Sequence, residues 1–153
     1  MVMSKVKEVT PEIFEFVECL VGQNRIGLSI NQVREIIEPV QVTPIPHSHP
    51  FIKGIIQLRG EVLPVVDLKK MTGYTSKDDG IDTKYIVSEF DGKTMVLEVS
   101  AVLQIERISF TEIETTTEMY AGETVPVLGV INRDDGIILL IDFEQAIGKE
   151  FGS

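Results

Sequence analysis

Two stretches of this sequence limit its fold more than any other feature. Residues 54–67 and 129–142 each begin with Gly, end with Asp and hold two apolar runs around a short turn, at the same spacing. A large apolar residue, Leu68 or Phe143, and a short helical segment follow in each case. Such runs, roughly four to eight residues long and bounded by turn residues, fit strands better than helices. Either the chain contains a duplicated small barrel or two ordinary hairpins happen to match. Both alternatives give a mostly β fold. Many short strands with tight turns and little helix favour barrels, because closing a sheet removes its exposed edges.

Residues 1–12 lack periodicity and read as a tail. Residues 13–21, dense in Phe and Val, form a first strand that ends at Gly22-Gln23-Asn24. Ile26, Leu28 and Ile30 then alternate as a half-buried strand requires. Asn31 is a candidate N-cap for a short helix in which Val33, Ile36 and Ile37 fall at i, i+3 and i+4, with Glu35 facing away and Glu38-Pro39 as the stop. Prolines at 39, 44, 46 and 50 enforce an irregular crossing segment. The 54–66 hairpin turns on Arg59-Gly60, an unusual choice where Asn or Asp normally precedes the Gly. Asp67 caps a helical turn ending near Gly73, and a polar stretch over 76–82 separates two halves. Residues 85–90 and 93–99 flank Asp91-Gly92, a favourable hairpin turn. After a polar loop over 111–124, residues 129–131 and 137–141 flank Asp135-Gly136, and Asp142 caps a final helix with Gln145 placed for a capping box.

The chain carries a formal net charge of −10, which would repel nucleic acid and anionic lipid. No apolar run approaches the roughly 20 residues needed to cross a bilayer, and no basic start precedes an apolar stretch. With Cys19 as the sole cysteine, no intrachain disulfide or Cys-rich zinc site can form. A cytoplasmic protein is expected, neither secreted nor inserted in a membrane.

Candidate chemistry is sparse. His47 and His49 would share a face of an extended segment, but two ligands do not make a metal site. Cys19 sits inside a strand, the ordinary place of a small buried hydrophobe. Asp78-Asp79 and Asp134-Asp135 lie in turn-like contexts without the alternating oxygen ligands of a calcium loop. Arg59 is different: a long cation on a stiff hairpin tip, beside a Gly, is placed to anchor a partner's carboxylate or carbonyl, although a solvated turn Arg is the plainer reading. The stripe of Val33, Ile36 and Ile37 is either core or part of a groove for a partner helix.

Residues 33–36 (Val-Arg-Glu-Ile), 44–46 (Pro-Ile-Pro) and the run from Phe51 through Leu58-Arg59-Gly60 to Asp67-Leu68 resemble the hallmark segments of CheW-like coupling domains. The likeness is nearest to the N-terminal coupling domain of CheV, through residues 34–40, 46–49 and 85–90. In CheV a receiver domain follows; residues 1–153 contain none, which leaves a CheV fragment or a stand-alone CheW. The resemblance implies two SH3-like five-stranded β-barrels packed together with short helices, one domain over 13–150. The halves would fall near 22–80 and 81–147, with exchange of the first strand between them left open. It further implies a non-enzymatic adaptor without cofactor or metal, coupling chemoreceptor cytoplasmic tips to the regulatory domain of the histidine kinase CheA, and self-association within receptor arrays. Carried over by position, Val33, Glu35, Ile36, Arg59 and Gly60 would face the receptor, and the second barrel would meet the kinase. The alternatives are a generic peptide-binding barrel and a metal-dependent sensor or enzyme built on His47 and His49.

Overall fold

A computed structural model of the chain describes residues 12–74, 82–115, 120–121 and 125–151. Their strands form two sheets. The first is five-stranded, in the order β3-β6-β7-β5-β4: β3 (Val33–Ile37), β4 (Ile52–Leu58), β5 (Glu61–Asp67), β6 (Lys84–Phe90) and β7 (Lys93–Val99). The second runs β10-β11-β12-β2-β1-β8, with β9 beside β11: β1 (Ile13–Val21), β2 (Asn24–Ser29), β8 (Ala101–Ser109), β9 (Ile113–Glu114), β10 (Tyr120–Ala121), β11 (Val125–Arg133) and β12 (Gly136–Ile141). The two-residue strands β9 and β10 bring it to seven, where five were expected. Two short helices, α1 (Leu68–Thr72) and α2 (Phe143–Phe151), follow β5 and β12.

The two matching hairpins agree well beyond their spacing. β4–β5 slips register between Ile52 and Gly54, so that Gly54 pairs with Val65; β11–β12 slips between Val127 and Gly129, so that Gly129 pairs with Leu140. A Cβ at Gly54 would lie 2.4 Å from the Thr43 carbonyl oxygen, and one at Gly129 2.6 Å from Ile113 Cγ2. Only glycine lets a neighbouring segment pass that close. Asp67 and Asp142 each donate their N–H back across the hairpin, to Phe51 O and Pro126 O, and each caps the next helix through Oδ1.

The halves are interleaved. β5 pairs in parallel with β7, and β12 in parallel with β2, so the β1–β2 hairpin joins the sheet of β11–β12 while β6–β7 joins that of β4–β5. The sheets therefore divide at 33–99 against 13–29 with 101–141, not near residue 80, and both β1 and β2 cross over. Sheet membership follows from which apolar faces meet at long range, and local polarity carries no information on that. The expected separator itself lies mostly outside the described residues.

Three apolar clusters account for the packing. Ile56, Leu63, Val65, Tyr85, Val87 and Val96 fill the inside of the first sheet, and Phe16, Ile108, Ile131, Ile138 and Leu140 that of the second. The largest cluster draws on both sheets and both helices, among them Leu28, Val66, Leu68, Leu97 and Phe143. Each sheet thus curls around its own core and backs onto a shared one.

The expected helix over 33–37 is instead strand β3. Ser29, not Asn31, caps the 3-10 turn Ile30–Gln32 that precedes it, its Oγ accepting from Asn31 N at 3.3 Å. β3 breaks register against β6 between Val33 and Glu35. The extra residue disturbs strict alternation and leaves apolar residues at 33, 36 and 37, a pattern that mimics a helical face. The last hairpin also differs from expectation by one position: Arg133 pairs with Gly136, so Asp134-Asp135 forms the turn.

Candidate functional site

The first sheet ends in β3 on one side and β4 on the other, strands that do not pair with each other. Arg59, in the turn just beyond β4, crosses this seam and forms an ion pair with Glu35 of β3. Both remain accessible, with side-chain exposures of 66% and 32%. Arg59 and Gly60 take φ of 48° and 84°, the left-handed pair of a tight two-residue hairpin turn. Asn, Asp or Gly would adopt this backbone at lower cost, on the order of 1 kcal/mol for an ordinary residue.

Around this pair the remaining expected site residues separate. Ile36 faces outward, 38% exposed. Val33 turns the other way and packs against the shared core. Around Gly60 a Cβ would meet no atom within 4 Å, so the glycine serves the turn and leaves open space above it. The structure thus brings Glu35 and Arg59 together, with Gly60 adjoining, and packs the partly buried Val33 against the shared core.

The second sheet is closed by a different set of charges. Arg133 Nη2 donates to Glu106 Oε1 at 2.6 Å, and Arg133 Nη1 lies 3.7 Å from Glu112 Oε1. Glu18, 1% exposed, accepts from Arg25 Nε at 2.6 Å and from Gln104 Nε2 at 3.2 Å, while Arg25 Nη1 also reaches Asp135 at 2.8 Å. Burial pushes the Glu18 carboxyl up, but its hydrogen bonds with Glu106, Arg25 and Gln104 and the Arg25 charge outweigh this and hold it below the usual range. The seam between β11 and β8, which do not pair with each other, is thus spanned by Arg133 and Glu106, with side chains 28% and 14% exposed, where the first sheet has the more accessible Glu35–Arg59 pair. Nothing in the strand pattern distinguished Glu18 from an ordinary outward carboxylate; the cross-strand guanidinium was the missing information.

The histidines do not share a face. His47 takes a left-handed φ of 62° in a turn with Pro46, which breaks the extended geometry assumed for the pair. His49 Nδ1 accepts the Phe51 N–H at 3.0 Å, and its ring lies 5.0 Å from that of Phe51. No group of three or more His, Cys, Asp or Glu that could hold a metal occurs among the described residues. Cys19 is buried, and burial together with the Glu18 charge pushes its thiol up to about 12, far from thiolate chemistry at neutral pH.

A cleft of about 220 Å³ is lined by Phe14, Leu128, Leu140 and Phe143 together with polar Gln32 and Asp142. Small-molecule pockets run to roughly 300–1,000 Å³. This one suits an apolar side chain or two. It escaped the sequence reading because its walls come from β1, β11, β12 and α2.

A double β-barrel that offers an accessible ion pair and an apolar cleft defines a class: a β scaffold that presents surfaces. Within that class the chain belongs to the CheW-like domain family, whose model matches residues 15–151. It is 22% identical to the chemotaxis protein CheW of Helicobacter pylori over 145 residues, covering 95% of this chain and 88% of that protein. It is 31% identical to the probable chemotaxis protein CheW of Rhizobium etli, covering 88% of each. Among solved structures it resembles the scaffolding protein TtCheW of Thermoanaerobacter tengcongensis, with a TM-score of 0.82, 31% identity and coverage of 93% and 97%. No helix among the described residues is long and apolar enough to cross a membrane.

Proposed function

We propose that this chain is a non-enzymatic, cytoplasmic coupling scaffold that joins chemoreceptor tips to the histidine kinase CheA. The observation that carries the reading is the accessible Glu35–Arg59 pair at the seam of the first barrel. An exposed ion pair contributes little to stability, roughly 0–1 kcal/mol, so the cost of holding Arg59 in a left-handed turn points to a purpose at the surface. Receptor docking would use Glu35, Arg59, Gly60 and Ile36, with Val33 supporting them from below. The exposed Ile36 supplies apolar area at about 25 cal/mol per Å², and the charges select register.

The second barrel exposes apolar residues of its own, among them Leu103, Ile105 and Ile137, available to the regulatory domain of the kinase or to neighbouring copies in an array. A rigid body with two separate docking faces raises the effective concentration of kinase at receptor even where each affinity is modest.

Co-sedimentation with a receptor cytoplasmic fragment and CheA tests the proposal. The wild-type chain is expected in the pellet with both proteins, and Arg59→Ala is expected to stay in solution while remaining folded. Equal sedimentation of wild type and variant would remove Arg59 from the site; absence of both partners from the wild-type pellet would remove the function.

A further inference from the structure

Arg34 is the point at which β3 leaves its ladder. Val33 pairs with Ser88 and Glu35 with Val87, two adjacent residues of β6, so Arg34 is the extra residue of a β-bulge. Successive residues of a strand face opposite ways. The bulge therefore allows Val33 to enter the shared core while Glu35 turns to the side that meets Arg59. Without it, Val33 and Glu35 would share one face.

The bulged residue is itself held from two other strands. Arg34 Nη1 donates to Thr94 Oγ1 of β7 at 3.1 Å and stands 4.0 Å from Glu61 Oε1 of β5. Consecutive residues of β3, basic then acidic, thus meet the two residues that flank Gly60, acidic Glu61 and basic Arg59. The planar guanidinium of arginine can address a hydroxyl and a carboxylate together, which an ammonium does less well.

We propose that Arg34 is a positioning residue: its hold on Thr94 and Glu61 fixes the β3 bulge and aims Glu35 at Arg59, setting the geometry of the pair that a partner meets. This role deepens the coupling function and rests on it for its binding consequence, although not for its structural one. Arg34 and Glu61 are both about half exposed, so their loss acts locally and leaves global stability nearly unchanged.

Two measurements on the full chain test this. In the free protein, Arg34→Ala is expected to return the Arg59 guanidinium NMR signals toward those of an unrestrained arginine, with an unchanged melting temperature. Arg59 signals identical to wild type would overturn the proposal. In titrations with a receptor cytoplasmic fragment, Arg34→Ala is expected to weaken binding by roughly 3- to 10-fold, as for residues acting through a neighbour, and to add nothing in an Arg59→Ala background. Equal losses in both backgrounds would mean that Arg34 touches the partner directly, which overturns a positioning role. If Arg59→Ala binds as wild type while Arg34→Ala still frees the Arg59 signals, the positioning role stands and the receptor assignment falls.

Discussion

Arg59 and Glu35 meet across a seam where the backbones of the first sheet do not, so one side-chain pair joins its two terminal strands at the surface. Replacing either by Ala is expected to cost less than about 1 kcal/mol in urea unfolding, as for exposed pairs generally. Receptor affinity is expected to fall by tenfold or more, about 1.4 kcal/mol. The reversed double variant, Glu35→Arg with Arg59→Glu, should recover stability without recovering affinity, because a partner's charges are fixed. Recovery of both in the reversed variant would show that the pair acts only inside the fold.

The glycines of the two matching hairpins make a second test. Gly54→Ala places a Cβ against backbone at Thr43, and Gly129→Ala places one against Ile113 and the Glu114 carbonyl. Each is expected to lose about 1–3 kcal/mol, the range of overpacked sites. Gly92→Ala meets no atom within 4 Å and bears only the strain of a φ of 77°, about 1 kcal/mol. Equilibrium unfolding of the three variants should show Gly92→Ala as the mildest.

Acid should loosen the second barrel through Glu18. Its folded-state carboxyl is held below the ordinary value of 4.5, so the native state favours the charged form. The stabilisation is fully present above that ordinary value and is lost as pH falls through the lower folded one. Asp135, lowered by its hydrogen bond and charge contact with Arg25, acts in the same direction. Glu18→Gln is expected to be destabilised at pH 7 by about 1–3 kcal/mol, as when a buried hydrogen-bonded charge is lost, and to show a shallower decline as pH falls through and below the ordinary carboxylate range. Urea midpoints across that range measure both effects.

The hairpins were legible in the sequence because their signals are local: alternating apolar residues, Asp91-Gly92 at one turn, and Asp67 and Asp142 at the caps. Strand β3 was not, since one bulged residue at Arg34 rewrites a period of two into an apparent helical stripe. The interleaving of halves was hidden for a different reason. The parallel contacts of Val65 with Val96 and of Leu140 with Gly27 join residues remote in sequence, and no turn or cap announces them. Of the candidate site, Arg59 stood out as the wrong residue for its turn, but its partner lies 24 positions away on a strand whose pattern reads as helix.

The most direct test of the coupling function is the autophosphorylation rate of CheA measured with receptor fragments, with and without this chain. The kinase is expected to respond to receptor only when the chain is present, and Arg59→Ala is expected to restore little of that response. Equal kinase rates with and without the chain would contradict a coupling function.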